Sequence, residues 1–263
     1  MLRVMTLNIW HLSDPWLERR HEIVAWLDLV NPDVVCLQEV IHSSDSNQAA
    51  WLAEAAAQRY HVAYGASFDF GEAMFGNAIL SRWPIEEHHR SLLPYDPDRG
   101  DMQRVLLHAR SHGLDVFCTH LTHFHSAGNL REGEVAEVVR LIEERADPQA
   151  SVPPILAGDF NAEPDSTEIR HLCGLTSLAG HSTYFQDAWR VAGGDGPGWT
   201  WDNRNPFAAA QHELDRRLDY AFVGWRRDGS GRVRSAELVC HRPLTGTFAS
   251  DHFGLAVEIS QPE

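Results

Sequence analysis

The stretch Ile155-Leu-Ala-Gly-Asp-Phe-Asn161 is an apolar run that ends in a carboxylate and a carboxamide. Because side chains alternate across a strand, Phe160 is predicted to be buried while Asp159 and Asn161 share the opposite face. An anionic oxygen beside a neutral amide suits metal, water or phosphate chemistry. Taken alone, the same run is equally typical of an Asp/Asn-rich turn that closes a strand.

Four further segments have the same form, an apolar run that stops at groups able to bind metal or move protons. They lie at residues 4–10, 34–39, 116–121 and 217–222, and a last polar group at residues 250–252 precedes a closing apolar strand. Any one of them could be an ordinary strand end, but their joint presence predicts one shared site. The polar residues that they supply are Asn8, Gln38, Glu39, Thr119, His120, Asp219, Asp251 and His252.

In this order and spacing the segments resemble the endonuclease/exonuclease/phosphatase superfamily, which includes DNase I, abasic-site endonucleases, sphingomyelinases and inositol polyphosphate phosphatases. The resemblance runs from Thr6 to about Val257. It implies an α/β fold of the DNase I-like type, a four-layer α/β/β/α sandwich of two mixed sheets flanked by helices. Composition and periodicity by themselves indicate only an α/β protein.

The length of 263 residues and the lack of a Gly/Ser- or Pro-rich linker predict a single endonuclease/exonuclease/phosphatase domain over residues 1–263. Apolar residues at helical spacing predict helices at residues 16–30, 46–60 and 129–146. The sequence has no signal peptide and no transmembrane run, so we expect a cytoplasmic protein. The four cysteines show no CxxC spacing and are expected to be buried thiols. The oligomeric state stays open.

The charge balance is acidic, with 22 Lys+Arg against 37 Asp+Glu and a net charge of −15. This is the wrong sign for tight, sequence-independent binding to a polyanion. The loop at residues 95–102 adds further acidic groups. A nucleic acid substrate is therefore disfavoured without being excluded, because bound cations can offset the field near a cleft.

The resemblance implies a divalent metal held by Glu39, with help from Asn8. Asp251 is expected to complete that site or to support a second metal. A hard cation such as Mg²⁺ takes oxygen donors and keeps coordination positions open for a phosphate oxygen. Oxygen-rich sites of this kind also accept Mn²⁺.

The catalytic roles also follow from the resemblance. Asp159 is expected to orient or deprotonate the attacking water, and Asn161 to donate to a phosphate oxygen. Asp219 is expected to fix the tautomer of His252, which acts either as a base or as a charged stabiliser of the transition state. His120 is a second imidazole aimed at the phosphate, as in DNase I and sphingomyelinases, whereas abasic-site endonucleases have a tyrosine in a comparable role.

Two segments are candidates for selecting the substrate. His123 and His125 either extend the phosphate site, bind a metal such as Zn²⁺, or are ordinary loop residues. Trp199 and Trp201 could stack on a base, sugar or apolar tail, or could pack the rim of the sandwich, while Arg204 could bind a phosphate. The Thr-Trp-Asp run at residues 200–202 resembles the tyrosyl-DNA phosphodiesterase branch.

The leading functional hypothesis is a metal-dependent phosphoric ester hydrolase that cleaves a phosphodiester or phosphomonoester by in-line attack of water. A nuclease that uses the same machinery on DNA or RNA is the alternative. A catalytically silent binding module is a third possibility, which the competent residue at every matching position disfavours.

Overall fold

The computed structural model describes residues 1–261, so that two residues of the expected domain 1–263, Pro262 and Glu263, lie outside the described residues. The described chain forms two mixed sheets of six strands each. The strands of the first sheet are β1 (Leu2–Asn8), β2 (Val34–His42), β3 (His61–Phe70), β4 (Ala73–Ser81), β11 (Val233–Val239) and β12 (Gly254–Ile259), which lie in the order β11-β12-β1-β2-β4-β3. The strands of the second sheet are β5 (Ile85–Leu92), β6 (Val105–Ser111), β7 (Leu114–His120), β8 (Ile155–Asp159), β9 (Phe185–Asp187) and β10 (Asp219–Gly224), which lie in the order β5-β6-β7-β8-β10-β9.

Helices cover the outer face of each sheet. Their bounds are α1 (Trp16–Val30), α2 (Gln48–Ala55), α3 (Gly128–Arg145), α4 (Thr167–Leu172), α5 (Ala188–Ala192) and α6 (Pro206–Ala209), and a short 3₁₀ turn spans Pro97–Arg99. One apolar cluster lies between the sheets, a second packs α1 and α2 against the first sheet, and a third packs α3 and α4 against the second sheet. The predicted four-layer α/β/β/α sandwich is thus confirmed.

The predicted helices are all present, but one is shorter than expected. Helix α1 has the predicted bounds because Asn31 adopts a left-handed conformation and its N–H bonds the carbonyl of Leu27. Helix α2 occupies only part of the predicted 46–60 segment: the Asn47 side chain caps its start. Beyond its end, the backbone N–H of Ala57 turns to the Asp28 carboxylate.

Strand register brings the polar strand ends to one edge of the sandwich. Strands β1 and β2 run parallel with Asn8 beside Gln38, and β7 and β8 run parallel with His120 beside Asp159. Strand β10 runs antiparallel to β8 and places Asp219 beside the same Asp159. Polar groups that are far apart in the sequence therefore meet at one place.

A β-bulge in β2 separates the directions of two neighbouring side chains. The register of β2 against β4 shifts between Leu37 and Val40, and Glu39 has a φ of 59°. Gln38 points between the sheets, where its amide donates to Thr6 and Cys118. The bulge thereby frees Glu39 to face the polar edge.

Gly158 is required by the close approach of two strands. Its φ is 152°, and a Cβ at this position would lie 1.9 Å from the carbonyl oxygen of Thr119 in the adjacent strand. Backbone atoms on both sides cannot move apart without breaking the ladder, so only glycine fits before Asp159.

All four cysteines are free and buried, as expected. Among residues 1–261, no helix has both the length and the apolar character needed to cross a membrane.

Candidate active site

A cleft of about 640 Å³ opens at the polar edge of the sandwich. Its floor is built from the strand ends and the loops that follow them. Nine of the twelve residues predicted to form the functional site line this cleft: Glu39, His120, His123, His125, Asp159, Asn161, Trp201, Asp251 and His252. Asn8 and Asp219 lie directly behind it, bonded to Asp159 and His252 respectively.

Asp159 is the buried centre of the cleft. Its Oδ1 accepts from the backbone N–H of Asn161 at 2.9 Å, and its Oδ2 accepts from the Asn8 amide at 3.1 Å. Burial and the nearby Asp219 carboxylate raise the pKa of Asp159 to about 6. Phe160 is fully buried on the other side of the chain, as the alternation of side chains predicts.

His252 and Asp219 form a buried pair. The two are joined by a 2.8 Å hydrogen bond between Nδ1 of His252 and Oδ2 of Asp219, which leaves Nε2 directed at Asp159 Oδ2, 3.8 Å away. Burial alone would lower the pKa of His252, but the carboxylates of Asp219 and Asp159 outweigh it and hold that pKa well above its usual range. The two carboxylates therefore favour the protonated form of His252.

His120 differs from His252 in its charge state. Burial and the positive charge of Arg104 hold the pKa of His120 well below its usual range, so its ring is neutral. Its Nε2 lies 3.5 Å from Asp159 Oδ2, and its Nδ1 has no hydrogen-bond partner within the described chain. The cleft thus presents one charged and one neutral imidazole to the same carboxylate.

Glu39 and Asp251 are the carboxylates suited to hold a divalent cation. Burial raises the pKa of Glu39, and burial together with the neighbouring Glu39 raises the pKa of Asp251 to about 6. Two buried, mutually repelling oxygen donors fit a hard cation, which would relieve both costs. Asp159, Asp219 and His252 also offer atoms within 4.8 Å of one another, and two of these three residues are joined by the His252–Asp219 hydrogen bond.

Asn8 contacts this centre through its amide nitrogen, which donates to Glu39 at 3.1 Å as well as to Asp159. Its amide oxygen accepts from the backbone N–H of Trp10 at 2.9 Å. These hydrogen bonds let Asn8 position the two carboxylates, and its role at the metal stays a prediction.

Replacing Asp251 by asparagine is expected to stabilise the metal-free protein at about pH 8 by about 1–3 kcal/mol. The folded-state pKa of Asp251, about 6, lies above its ordinary value of 3.8, so wild-type stability falls as pH rises through this interval. Thermal unfolding in EDTA and in saturating Mg²⁺ checks this. The variant should also lose most of the Mg²⁺-induced rise in Tm that linkage predicts for the wild type.

The control for this experiment is Asp165→Asn, which removes an exposed carboxylate from the loop between β8 and α4. It should leave both the Tm in EDTA and the response to Mg²⁺ unchanged. A Mg²⁺ response that Asp251→Asn retains in full would remove Asp251 from the metal site.

Arg104 is a cleft residue that sequence reasoning missed. It is 2 % exposed, lines the cleft and donates to Nδ1 of His123 at 3.1 Å. Its Nε is buried without a partner within residues 1–261. Burial lowers its pKa, while the surrounding carboxylates, including Glu39 and Asp159, act against that effect. A buried guanidinium with an unused donor beside these catalytic groups suits an anionic substrate.

An aromatic wall also escaped the sequence reasoning. Four aromatic side chains of the first sheet and its loops line one side of the cleft: Trp10, Phe68, Phe70 and Phe75. Phe68 and Phe75 stack with ring centroids 4.7 Å apart, and Phe75 lies 6.2 Å from His120. The alternation of aromatics in β3 and β4 was the available signal, but it did not show which face they occupy.

The first of the two proposed substrate-selecting segments lies in the cleft. His123 and His125 both line the cleft, and each accepts from an arginine rather than pointing at the other. Over residues 1–261, neither belongs to a group of side chains placed to hold a metal ion, which disfavours the Zn²⁺ hypothesis.

Trp201 lies in the cleft, whereas Arg204 does not. Trp201 packs edge-on against His252 with ring centroids 5.0 Å apart. Arg204 instead pairs with Asp202 at 2.6 Å, and it lines a separate surface depression together with the exposed Trp199. The expected phosphate contact of Arg204 is therefore not supported, because the local Asp202 carboxylate takes up its guanidinium.

Comparison with known proteins shows what this chain is similar to. A sequence model of the Endonuclease/Exonuclease/phosphatase family matches residues 5–252. Tyrosyl-DNA phosphodiesterase 2 of Rattus norvegicus is 28% identical over 245 residues, which cover 90% of this chain and 61% of that protein. The uncharacterised protein YbhP of Escherichia coli is 28% identical over 179 residues, covering 60% of this chain and 66% of that protein. The chain spans less than two thirds of the length of either relative.

Solved structures share the fold over almost the whole chain. An endonuclease/exonuclease/phosphatase from Beutenbergia cavernae has a TM-score of 0.70 and 27% identity, covering 99% of this chain and 71% of that one. TDP2 of D. rerio, complexed with single strand DNA product, has a TM-score of 0.74 and 21% identity, covering 99% of each chain.

Proposed function

The chain belongs to the endonuclease/exonuclease/phosphatase family, and from that premise we propose that it is a divalent-metal-dependent phosphoesterase that cleaves a phosphodiester or phosphomonoester by in-line attack of water. The observation that supports this most is the convergence of Asp159, neutral His120 and the charged His252–Asp219 pair on one cleft. Phosphodiesters of modest size are the substrates that the acidic charge balance favours.

Each side chain has a role that its surroundings suit. Asp159 orients the attacking water and accepts its proton, because its raised pKa brings it closer to the operating pH. His252 stays protonated and stabilises negative charge as it develops on phosphorus-bound oxygens. Asn161 lines the cleft beside Asp159 and donates to a phosphate oxygen through the amide hydrogen that Leu121 does not take up.

His120 and Arg104 complete the polar lining of the cleft. His120, kept neutral, donates a hydrogen bond without adding charge, and the Arg104 guanidinium attracts the anionic phosphate. Glu39 and Asp251 are the residues that would hold Mg²⁺ or Mn²⁺, whose chemistry is to neutralise charge on the phosphate group.

Cleavage of tyrosyl-DNA or of DNA itself is the second candidate function. The rat relative is a tyrosyl-DNA phosphodiesterase, and the aromatic wall of the cleft suits an aromatic alcohol next to the scissile phosphate. The charge of −15 opposes a long nucleic acid substrate. The silent binding module stays disfavoured because the cleft brings competent residues together.

The test is hydrolysis of bis(4-nitrophenyl) phosphate by the purified protein in Mg²⁺ or Mn²⁺, with EDTA as control. We expect release of 4-nitrophenolate that EDTA abolishes. Parallel assays with 4-nitrophenyl phosphate, supercoiled plasmid and a 5′-phosphotyrosyl oligonucleotide rank the candidate substrates. Turnover that resists EDTA, or no turnover of any of the four substrates, would contradict the proposed function.

A further inference from the structure

Three partly exposed side chains form a polar cluster at the mouth of the cleft. His125 comes from the loop between β7 and α3, and Glu213 and Arg216 come from the loop between α6 and β10. His125 Nε2 lies 3.3 Å from Glu213 Oε1, Arg216 donates to Glu213 Oε2, and a second Arg216 nitrogen lies 3.5 Å from His125 Nδ1. All three line the cleft, so we call them the mouth cluster.

The mouth cluster is fixed relative to the catalytic groups. The side-chain amide of Asn203 donates to the Glu213 carbonyl at 2.9 Å, and its backbone N–H donates to Asp215 at 2.8 Å. The backbone of Arg216 pairs with Trp201, and Trp201 in turn pairs with and packs on His252. The Glu213 carboxylate therefore has a defined place beside the reaction centre.

More carboxylates than guanidiniums line the cleft. The carboxylates are Glu39, Asp159, Asp251 and Glu213, and the guanidiniums are Arg104 and Arg216. The first three carboxylates and Arg104 belong to the centre described above. At the mouth, the guanidinium that a second phosphate would need is already bonded to Glu213, and the carboxylate itself would repel that phosphate.

We propose that Glu213 is a specificity-determining residue that restricts the cleft to phosphodiesters without a second phosphate next to the scissile one. Substrates of this class carry an aryl, alkyl or nucleoside group on each side of a single charged phosphate. A polynucleotide, which has a phosphate on every sugar, is selected against. This inference rests on the proposed phosphodiesterase function and gives one reason why a protein with this cleft would act on small diesters.

The test uses two substrates that differ only in the second phosphate. One is the 4-nitrophenyl ester of thymidine 5′-phosphate, and the other carries an additional phosphate on the 3′-oxygen. Both release 4-nitrophenolate, so kcat/KM is read in the same way. We expect the wild type to prefer the first substrate by about tenfold at low ionic strength, and this preference to shrink as salt screens the repulsion.

The decisive variant is Glu213→Gln, which keeps the shape of the side chain and removes its charge. We expect it to raise kcat/KM for the 3′-phosphorylated substrate by about five- to tenfold, chiefly through KM, since Arg216 becomes free to bind the added phosphate. Turnover of the unphosphorylated ester should change little. Glu237→Gln is the matched control, because it removes one negative charge from an exposed position in β11 outside the cleft.

Two outcomes would overturn the inference: a wild type without preference between the substrates, or a preference that Glu213→Gln leaves as large as in Glu237→Gln. Either result is distinct from a failure of the proposed function, in which the wild type would hydrolyse neither ester. If the substrate preference in kcat/KM shifts equally in Glu213→Gln and Glu237→Gln, the cause is the reduced negative charge of the whole protein. That result likewise contradicts the assignment to Glu213.

Discussion

Replacing Asp159 by asparagine is expected to lower kcat for bis(4-nitrophenyl) phosphate by about 10³-fold while leaving the fold intact, a loss within the range for removal of a general base. Asparagine can still accept the backbone N–H of Asn161, so the tip of β8 keeps its geometry. What disappears is the anion between His120 and His252, which we propose to orient water and take its proton. The measurement is steady-state hydrolysis in saturating Mg²⁺, with thermal unfolding as a check on the fold.

The thermal stability of Asp159→Asn separates a loss of activity from a loss of fold. Because the pKa of Asp159 is raised to about 6, the folded wild type pays for a buried charge at higher pH, which asparagine does not carry. The Tm of the variant at about pH 8 should therefore be at least as high as that of the wild type. Asp165→Asn serves as the control for the substitution itself and should keep full activity. A kcat for Asp159→Asn within tenfold of the wild type would contradict the role given to this carboxylate.

Asp219→Asn is expected to lower kcat by about 10²–10⁴-fold and to change the pH dependence of the activity that remains. The Asp219 carboxylate, 2.8 Å from Nδ1, is the main reason that the pKa of His252 stays high despite burial. Without it only Asp159 and Asp251 oppose the effect of burial, so the pKa of His252 falls and the ring loses its proton at a lower pH. If the protonated ring is the active form, the alkaline limb of the kcat/KM profile moves to lower pH.

The sign of the stability effect follows from the same pKa. A histidine whose folded-state pKa is raised contributes stability that is complete below its ordinary pKa of 6.5 and is lost as pH rises through the folded-state value. Asp219→Asn should remove this contribution and so flatten the dependence of Tm on pH over that interval. Kinetic profiles, Tm against pH and the NMR titration of His252 measure the effects independently.

The chain offers a matched control for this pair. His108 and Asp115 form a second buried histidine–aspartate hydrogen bond of 2.8 Å, away from the cleft. Asp115→Asn also breaks a contact to Arg110 and should lower stability, yet it should leave the pH profile of the activity unchanged. An alkaline limb that stays in place in Asp219→Asn, or that moves equally in Asp115→Asn, would contradict the assignment to His252.

Features carried by local sequence were the predictable part of this protein. The apolar runs, the capping of α1 by Asn31 and the alternation around Phe160 depend on neighbours along the chain, and they gave the strands, the helix and the orientation of Asp159. The family resemblance added the layer order and brought distant strand ends together. Both rest on patterns that are present before the chain folds.

Features set by distant contacts were not predictable. Arg104 immediately precedes the apolar strand β6 and gives no local sign that it is buried against His123 and near Glu39. The direction of Asn8 depends on which carboxylates its amide meets after folding. Arg204 is the exception, because its spacing from Asp202 was a visible local signal for an ion pair that competes with any phosphate.

The pairing of β1 with β12 has a consequence for the newly made chain. Asn8 lies at the end of β1, while His252 lies two residues before β12, the strand that pairs with it almost the entire sequence later. A ribosome must therefore have released about 250 residues before the centre can assemble, and contacts of such separation form slowly. A chain synthesised only as far as β10 would therefore lack His252 and could not yet assemble this centre.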